Sequence, residues 1–349
     1  MTQYLSDKIK VLSFASIILV LYIHSGFHDI PSEIQGMCFN YYLQESISNM
    51  VGRCAVPLFY VISGYLFFLH TDRGVSAVFL KIQRRIKTLL IPFVIAALFF
   101  PLFFLCMELF PFTRNFINGD VVFSNNLQLP LDEIIKSLFY AANGTTTPWA
   151  FHLWFLRDLI MIVMVSPLLY IIKKGLGSGV ILTILFFLTF CQFRYSFINS
   201  LFWFMLGDAF LLYMGNFKSL MIFVAFVVLS AIELMLPNLP WSYLRILIIV
   251  LGIISIWNLY DRLIPLSFEL RKHKWLTMAC QFTFFIYLFH EPTLNIVRKL
   301  LILILGRSSI GFAVNYLVSP WIFIILFILV GFYFKKYLPR IYNVCVGGR

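Results

Sequence analysis

A run of apolar residues from Val11 to Ile23 stops at His24, and His28 and Asp29 follow it. An imidazole has an ordinary pKa near 6.5, so at neutral pH it is ready to take a proton from a hydroxyl. A positioned general base contributes on the order of 10²–10⁴ in rate. The plainer alternative is a helix-end histidine that anchors at the membrane interface. His24 and His28 are four apart and share a helix face, a spacing that also suits a metal. No HExxH pattern accompanies them, and no metal is expected.

Four other stretches carry chemistry-bearing side chains. Arg53 opens RCAVPLFYVISGYLFF, residues 53–68. There Pro57 predicts a kink, and Ser63 with Gly64 predicts a close helix approach. In LKIQRRIKTLLIPF, residues 80–93, the cations are Lys81, Arg84, Arg85 and Lys87. They read as a positive-inside stop or as a phosphate clamp, because guanidinium forks onto phosphate oxygens. No GxGxxG or Walker A loop accompanies them. FHLWFLRDL, residues 151–159, supplies His152, Trp154, Arg157 and Asp158. FFIYLFHEP, residues 284–292, ends on His290, Glu291 and Pro292. Asp208, Glu233 and Arg245 are further ionisable residues within apolar runs. The six cysteines show no CxxC; Cys38 and Cys54 are expected on one side, where a bridge is conceivable but not indicated. Asn143-Gly144-Thr145 matches a glycosylation sequon without functional weight.

These residues must be positioned by apolar segments. The chain is 61% hydrophobic and 12% charged, with 40 phenylalanines, against about 45–50% apolar and about 25% charged in soluble domains. The apolar runs are continuous rather than alternating, which predicts an all-α, polytopic integral membrane helical bundle and not a barrel. Ten segments are expected, at about 9–27, 54–71, 89–110, 151–172, 177–192, 198–215, 218–236, 242–260, 275–290 and 313–334. With the N-terminus inside, most of the 27 Lys and Arg residues fall on the inner side, so both termini are expected to be cytoplasmic. The net charge of +12 is then a topology signal, and no nucleic-acid partner is expected. The first segment reads as a retained helix rather than a signal peptide. Residues 1–349 read as one transmembrane domain, with 111–148 as an extracytoplasmic loop containing Asp120, Asp132, Glu133 and Thr145 to Thr147. His24 and His290 arrive at the same outer side.

Taken in order, the stretches resemble the membrane-bound acyltransferase-3 family. The residues that carry the resemblance are His24, Val56 to Leu66 (VPLFYVISGYL), Arg84-Arg85, His152 to Leu156 (HLWFL) and Tyr287 to Pro292 (YLFHEP). They cover essentially the whole chain. Ser13 and Lys10 stand where many members carry Arg and Asp, so donor binding departs from the usual pattern at the inner end of the first segment. The resemblance implies an O-acyltransferase of a bacterial cytoplasmic membrane, without a fused extracytoplasmic domain. It would move an acyl group, usually acetyl, from cytoplasmic acyl-CoA to a hydroxyl of an extracytoplasmic or lipid-linked glycan. It implies His24 as catalytic base and Arg53 as stabiliser of the oxyanion or orienter of the acceptor. Lys81, Arg84, Arg85 and Lys87 would bind the CoA phosphates. His152, Trp154, His290 and Glu291 would shape the acceptor pocket. The competing reading is a transporter of a glycan precursor or small solute, since membrane histidines and arginines also serve proton-coupled transport.

Overall fold

The computed structural model describes residues 1–26, 38–69, 74–114, 123–142, 148–191, 196–210, 220–236 and 244–348. His28, Asp29, Arg73, Asp120, Lys218, the threonines Thr145 to Thr147 and the 143–145 sequon lie outside them, as does the side chain of Cys38. Cys54 is buried as a free thiol, so it enters no bridge.

The apolar runs fold as helices. We number ten of them: α1 Gln3–Ser25, α2 Ala55–Phe68, α3 Ile91–Leu109, α4 Trp154–Leu176, α5 Ser178–Phe190, α6 Ser196–Phe210, α7 Leu220–Met235, α8 Arg245–Leu263, α9 Lys274–Leu305 and α10 Ser309–Tyr337. No strand occurs among the described residues. Each expected segment overlaps one of these helices. Six helical stretches are long and apolar enough to cross a membrane: Gln3–Ser25, Phe39–Phe68, Val75–Leu109, Phe151–Leu176, Arg245–Leu263 and Ser309–Tyr337; α5 and α7 are apolar but shorter.

Two local expectations change. Pro57 lies in the first turn of α2, behind a π-helical stretch Glu45–Val51 and a 3₁₀ turn Gly52–Cys54. The helix changes winding before the proline instead of kinking mid-span. The 111–148 loop contains Pro111–Arg114, Phe123–Gln128 and Leu131–Phe139 as short helical pieces. The Phe123–Gln128 piece packs back on α3, where the Glu108 carboxylate accepts from the backbone of Phe123 and Ser124 and Phe104 stacks on Phe123.

The bundle is centred on α1, which contacts α2, α9 and α10. Between α2 and α6 the backbones touch. A Cβ at Gly64 would sit 1.9 Å from the Phe204 carbonyl oxygen, and one at Gly207 would sit 1.9 Å from that of Val61. Small residues permit this approach, as the sequence predicts for Gly64.

Charges inside the bundle are paired, which offsets a cost of about 2.5–3.5 kcal/mol for an isolated one at mid-helix. Asp158 is fully buried, bound by Arg157 at 2.9 Å and by Ser200 Oγ of α6 at 2.9 Å. Asp208 takes Lys173 at 2.6 Å and Ser178 at 2.8 Å. Lys8 is buried on Asp261 at 2.7 Å, with its ammonium 3.9 Å from the Trp257 ring centroid.

Candidate active site

Pro292 explains how α9 builds the centre of the site. A proline has no N–H to give the carbonyl four residues back, so the Leu288 oxygen loses its helical donor. At Glu291 the backbone leaves the helix (φ −105°, ψ 134°). His152, on the 3₁₀ turn that precedes α4, donates from Nε2 to the Leu288 oxygen at 3.2 Å. Tyr287 donates from its hydroxyl to the His152 carbonyl at 3.1 Å. The broken helix and the start of α4 are thus stitched together at the histidines.

His24 and His290, expected at one side, do meet, and His152 joins them. The His24 and His290 ring centroids are 5.0 Å apart, and those of His152 and His290 are 4.8 Å apart. His290 Nδ1 donates to the Tyr287 carbonyl at 2.8 Å. Each buried ring therefore spends its N–H on a carbonyl, which leaves the other nitrogen as an acceptor. Those acceptors, His290 Nε2 and His152 Nδ1, have no hydrogen-bond partner among the described residues. His24 differs in access: its side chain is 21% exposed, whereas His290 is 0% and His152 3% exposed. A reacting hydroxyl can reach His24 and not the ring planes behind it.

A chain of polar contacts runs from the backbone of His24 back to a carboxylate near its ring. His24 Nδ1 lies 3.9 Å from Glu291 Oε1. Glu291 Oε2 accepts from Asn295 Nδ2 at 2.8 Å, and Asn295 Oδ1 accepts from Arg298 Nη1 at 2.7 Å. Arg298 then donates to the carbonyls of His24 at 3.1 Å and Gly26 at 2.7 Å, satisfying carbonyls that the end of α1 leaves open. Phe151 packs beside His24, with ring centroids 5.5 Å apart.

A second feature lies deeper. A cavity of about 590 Å³ is lined by residues of α1, α2, the 75–90 helical stretch, α4 and α9. At one end stand Lys10, Ser13, Leu66, Lys81, Arg84 and Arg85; at the other stand Phe59, Phe155 and Tyr287. Lys81 fixes the first end, because it donates to the carbonyls of Phe67 and Leu69 at the close of α2. Phe59 and Phe155, 5.7 Å apart, fix the second. Tyr287 stands one helical turn before His290 on α9 and packs edge-on against Phe155 at 5.7 Å.

Residues 8–335 match the profile of the acyltransferase-3 family, described as an acyltransferase domain. The chain belongs to the acyltransferase-3 family. No curated protein and no solved structure matches it. Family membership makes this acyltransferase an enzyme rather than a carrier, and its apolar helices make it a multi-pass membrane protein.

Against this frame the predicted residues divide. His24, His152, His290 and Glu291 come together. Trp154 packs partly buried against the apolar core. Lys81, Arg84 and Arg85 line the cavity, and Lys87 is exposed off its lining. Among the cations, Arg84 and Arg85 enter no ion pair with the described residues. Arg53 binds Glu233 of α7 at 2.7 Å, so its guanidinium is committed to that carboxylate. Asn295 and Arg298 escape the sequence reading, although Glu291, Asn295 and Arg298 follow helical spacing (i, i+4, i+7) and so share a face. No group of His, Cys, Asp or Glu fit to hold a metal occurs among the described residues.

Proposed function

We propose that this acyltransferase transfers an acyl group, in the first instance acetyl, from acyl-CoA to a hydroxyl of an extracytoplasmic or lipid-linked glycan. Its place would be a bacterial cytoplasmic membrane, crossed by ten helices with both termini inside. The observation that carries the reading is the cavity whose cationic end and aromatic end lie along one path toward the histidines. From Cys280 to Tyr287 that path follows α9 for about 10 Å at 1.5 Å per residue. Arg84 and Arg85 suit the phosphates of the donor, while the nearby Lys10 is shared with Asp7 at 3.7 Å. The apolar walls suit an extended thiol-bearing arm.

In the reaction, Glu291 Oε1 would close from 3.9 Å onto His24 Nδ1 and so favour the tautomer with the proton there. Nε2 then carries the lone pair. It takes the proton of the acceptor hydroxyl as the oxygen attacks the thioester carbonyl carbon. The C–S bond breaks, the ester forms, and the departing thiolate takes the proton back from the imidazolium. Asn295 and Arg298 are positioning residues for this base. His152 and His290, buried behind His24, would shape the site from behind rather than touch the acceptor. A covalent acyl-histidine route is the second reading. No observation here favours it.

The reading is tested by adding labelled acetyl-CoA to the purified protein. Saturable binding that weakens in Arg84→Ala and Arg85→Ala supports it. Binding that is absent, or indifferent to both substitutions, removes the donor assignment.

A further inference from the structure

Arg53, Glu233 and Arg245 form a cluster that the transfer chemistry does not use. Arg53 Nη1 donates to Glu233 Oε1 at 2.7 Å, and Arg245 Nε donates to the same oxygen at 3.1 Å. Arg245 Nη2 is also 3.0 Å from that oxygen. Two guanidiniums thus converge on one carboxylate oxygen, leaving one net positive charge and several N–H donors over. Arg245 is 46% exposed and Arg53 27%.

The surroundings say what faces those donors. Met235 and Leu236 at the end of α7, and Leu244 and Leu247 at the start of α8, are large apolar residues exposed by 42–74%. In a membrane protein such a rim meets lipid. Arg245 and Arg262 stand near the two ends of α8, about 25 Å apart at 1.5 Å per residue, close to a bilayer core of about 30 Å. Arg245 therefore lies at headgroup depth. Gly52, next to Arg53, packs against the Ile23 side chain beside His24, so this is the His24 end of the bundle. Arginine binds phosphate bidentately.

From the pairing, the exposed apolar rim and the depth, we infer that Arg53 and Arg245 form a binding site for the phosphate of an anionic membrane lipid at the His24 end, with Glu233 as its restraint. Glu233 holds both guanidiniums in place and lowers the local charge, so a lipid phosphate binds without being locked in. The site needs only that α7 and α8 face lipid, and it stands apart from the acyl-transfer reading. Its phosphate has two possible sources by chemistry, a bulk phospholipid or the diphosphate of a lipid-linked saccharide.

The test is lipid retention by the purified full chain, read by native mass spectrometry. The probes are phosphatidylglycerol, a polyprenyl diphosphate and inorganic phosphate, with a neutral diacylglycerol as control. Wild type should retain an anionic lipid over the neutral one, and Arg245→Gln should cut retention about tenfold. Glu233→Gln should raise retention several-fold, because it frees two guanidiniums. That opposite sign separates a binding site from a structural ion pair. Preference for phosphatidylglycerol names a headgroup site, preference for the polyprenyl diphosphate names a lipid-linked saccharide, and both support the inference. Unchanged retention in Arg245→Gln, lower retention in Glu233→Gln, or competition by inorganic phosphate as effective as by lipid would overturn it. Arg245 is nearly half exposed, so its Gln variant is expected to fold.

Discussion

Glu291 Oε1 lies 3.9 Å from His24 Nδ1, although the two residues belong to helices almost the whole chain apart. One is buried and one is accessible, and a chain of contacts through Asn295 and Arg298 returns to the backbone of the same histidine. The relationship sets a carboxylate beside the imidazole and ties the backbone of the same residue, which is what the proposed general base would need to be held in place.

Substitution should follow that order. His24→Ala is expected to lower kcat by a factor on the order of 10²–10⁴. Glu291→Gln keeps the shape and removes the charge, and should cost roughly 10–100-fold, the range of a charge-assisted contact. Comparable folded protein in both variants, with equal kcat to wild type, would dismiss the dyad.

Arg298→Lys keeps a positive charge but cannot fork onto the carbonyls of His24 and Gly26. We expect a fall in kcat with KM for the donor little changed, and a larger fall in Arg298→Ala. A change confined to KM would place Arg298 in donor binding instead.

The pH profile follows from the need for a neutral ring. An imidazole of ordinary pKa about 6.5 loses its lone pair as pH falls. The rate should drop about tenfold per pH unit on the acid limb. Single-turnover rates in folded protein, measured from pH 5 to 8, check this; a flat profile contradicts it.

The cations of the cavity should separate by role. Arg84→Ala and Arg85→Ala are each expected to raise KM for the donor roughly 10-fold or more, the scale of a charged hydrogen bond, with kcat retained. Lys81 holds the closing carbonyls of α2, so Lys81→Ala should lower the melting temperature as well as donor affinity.

The contact between α2 and α6 gives a stability prediction. Gly64→Ala or Gly207→Ala would drive a methyl into backbone at 1.9 Å and should cost about 3 kcal/mol or more, at or beyond the upper range for overpacking. Gly175→Ala, where nothing lies within 4 Å, should be neutral. Thermal unfolding in detergent distinguishes them.

Much of this architecture is legible in the sequence because apolar runs long enough to span a membrane leave little choice but helix. The arrival of His24 and His290 at one end follows from counting segments, and Gly64 reads as a contact because small residues mark close helices. The partners of the charges are not legible. Arg53 looks like a catalytic arginine beside a kinked helix, yet its carboxylate lies far along the chain at Glu233. His152 is anchored by a carbonyl that Pro292 frees, a consequence visible only once α9 and α4 are packed. Asn295 and Arg298 sit beyond the expected end of segment 275–290, since the helix resumes after the break at Glu291 and runs to Leu305.

The most direct measurement is transfer of label from radiolabelled acetyl-CoA to glycan, in membranes from cells making wild type, His24→Ala or Glu291→Gln at equal folded levels. Labelled glycan is expected with wild type, strongly reduced label with Glu291→Gln and none above background with His24→Ala. Equal labelling by all three would contradict a catalytic His24 and leave it as a helix-end residue.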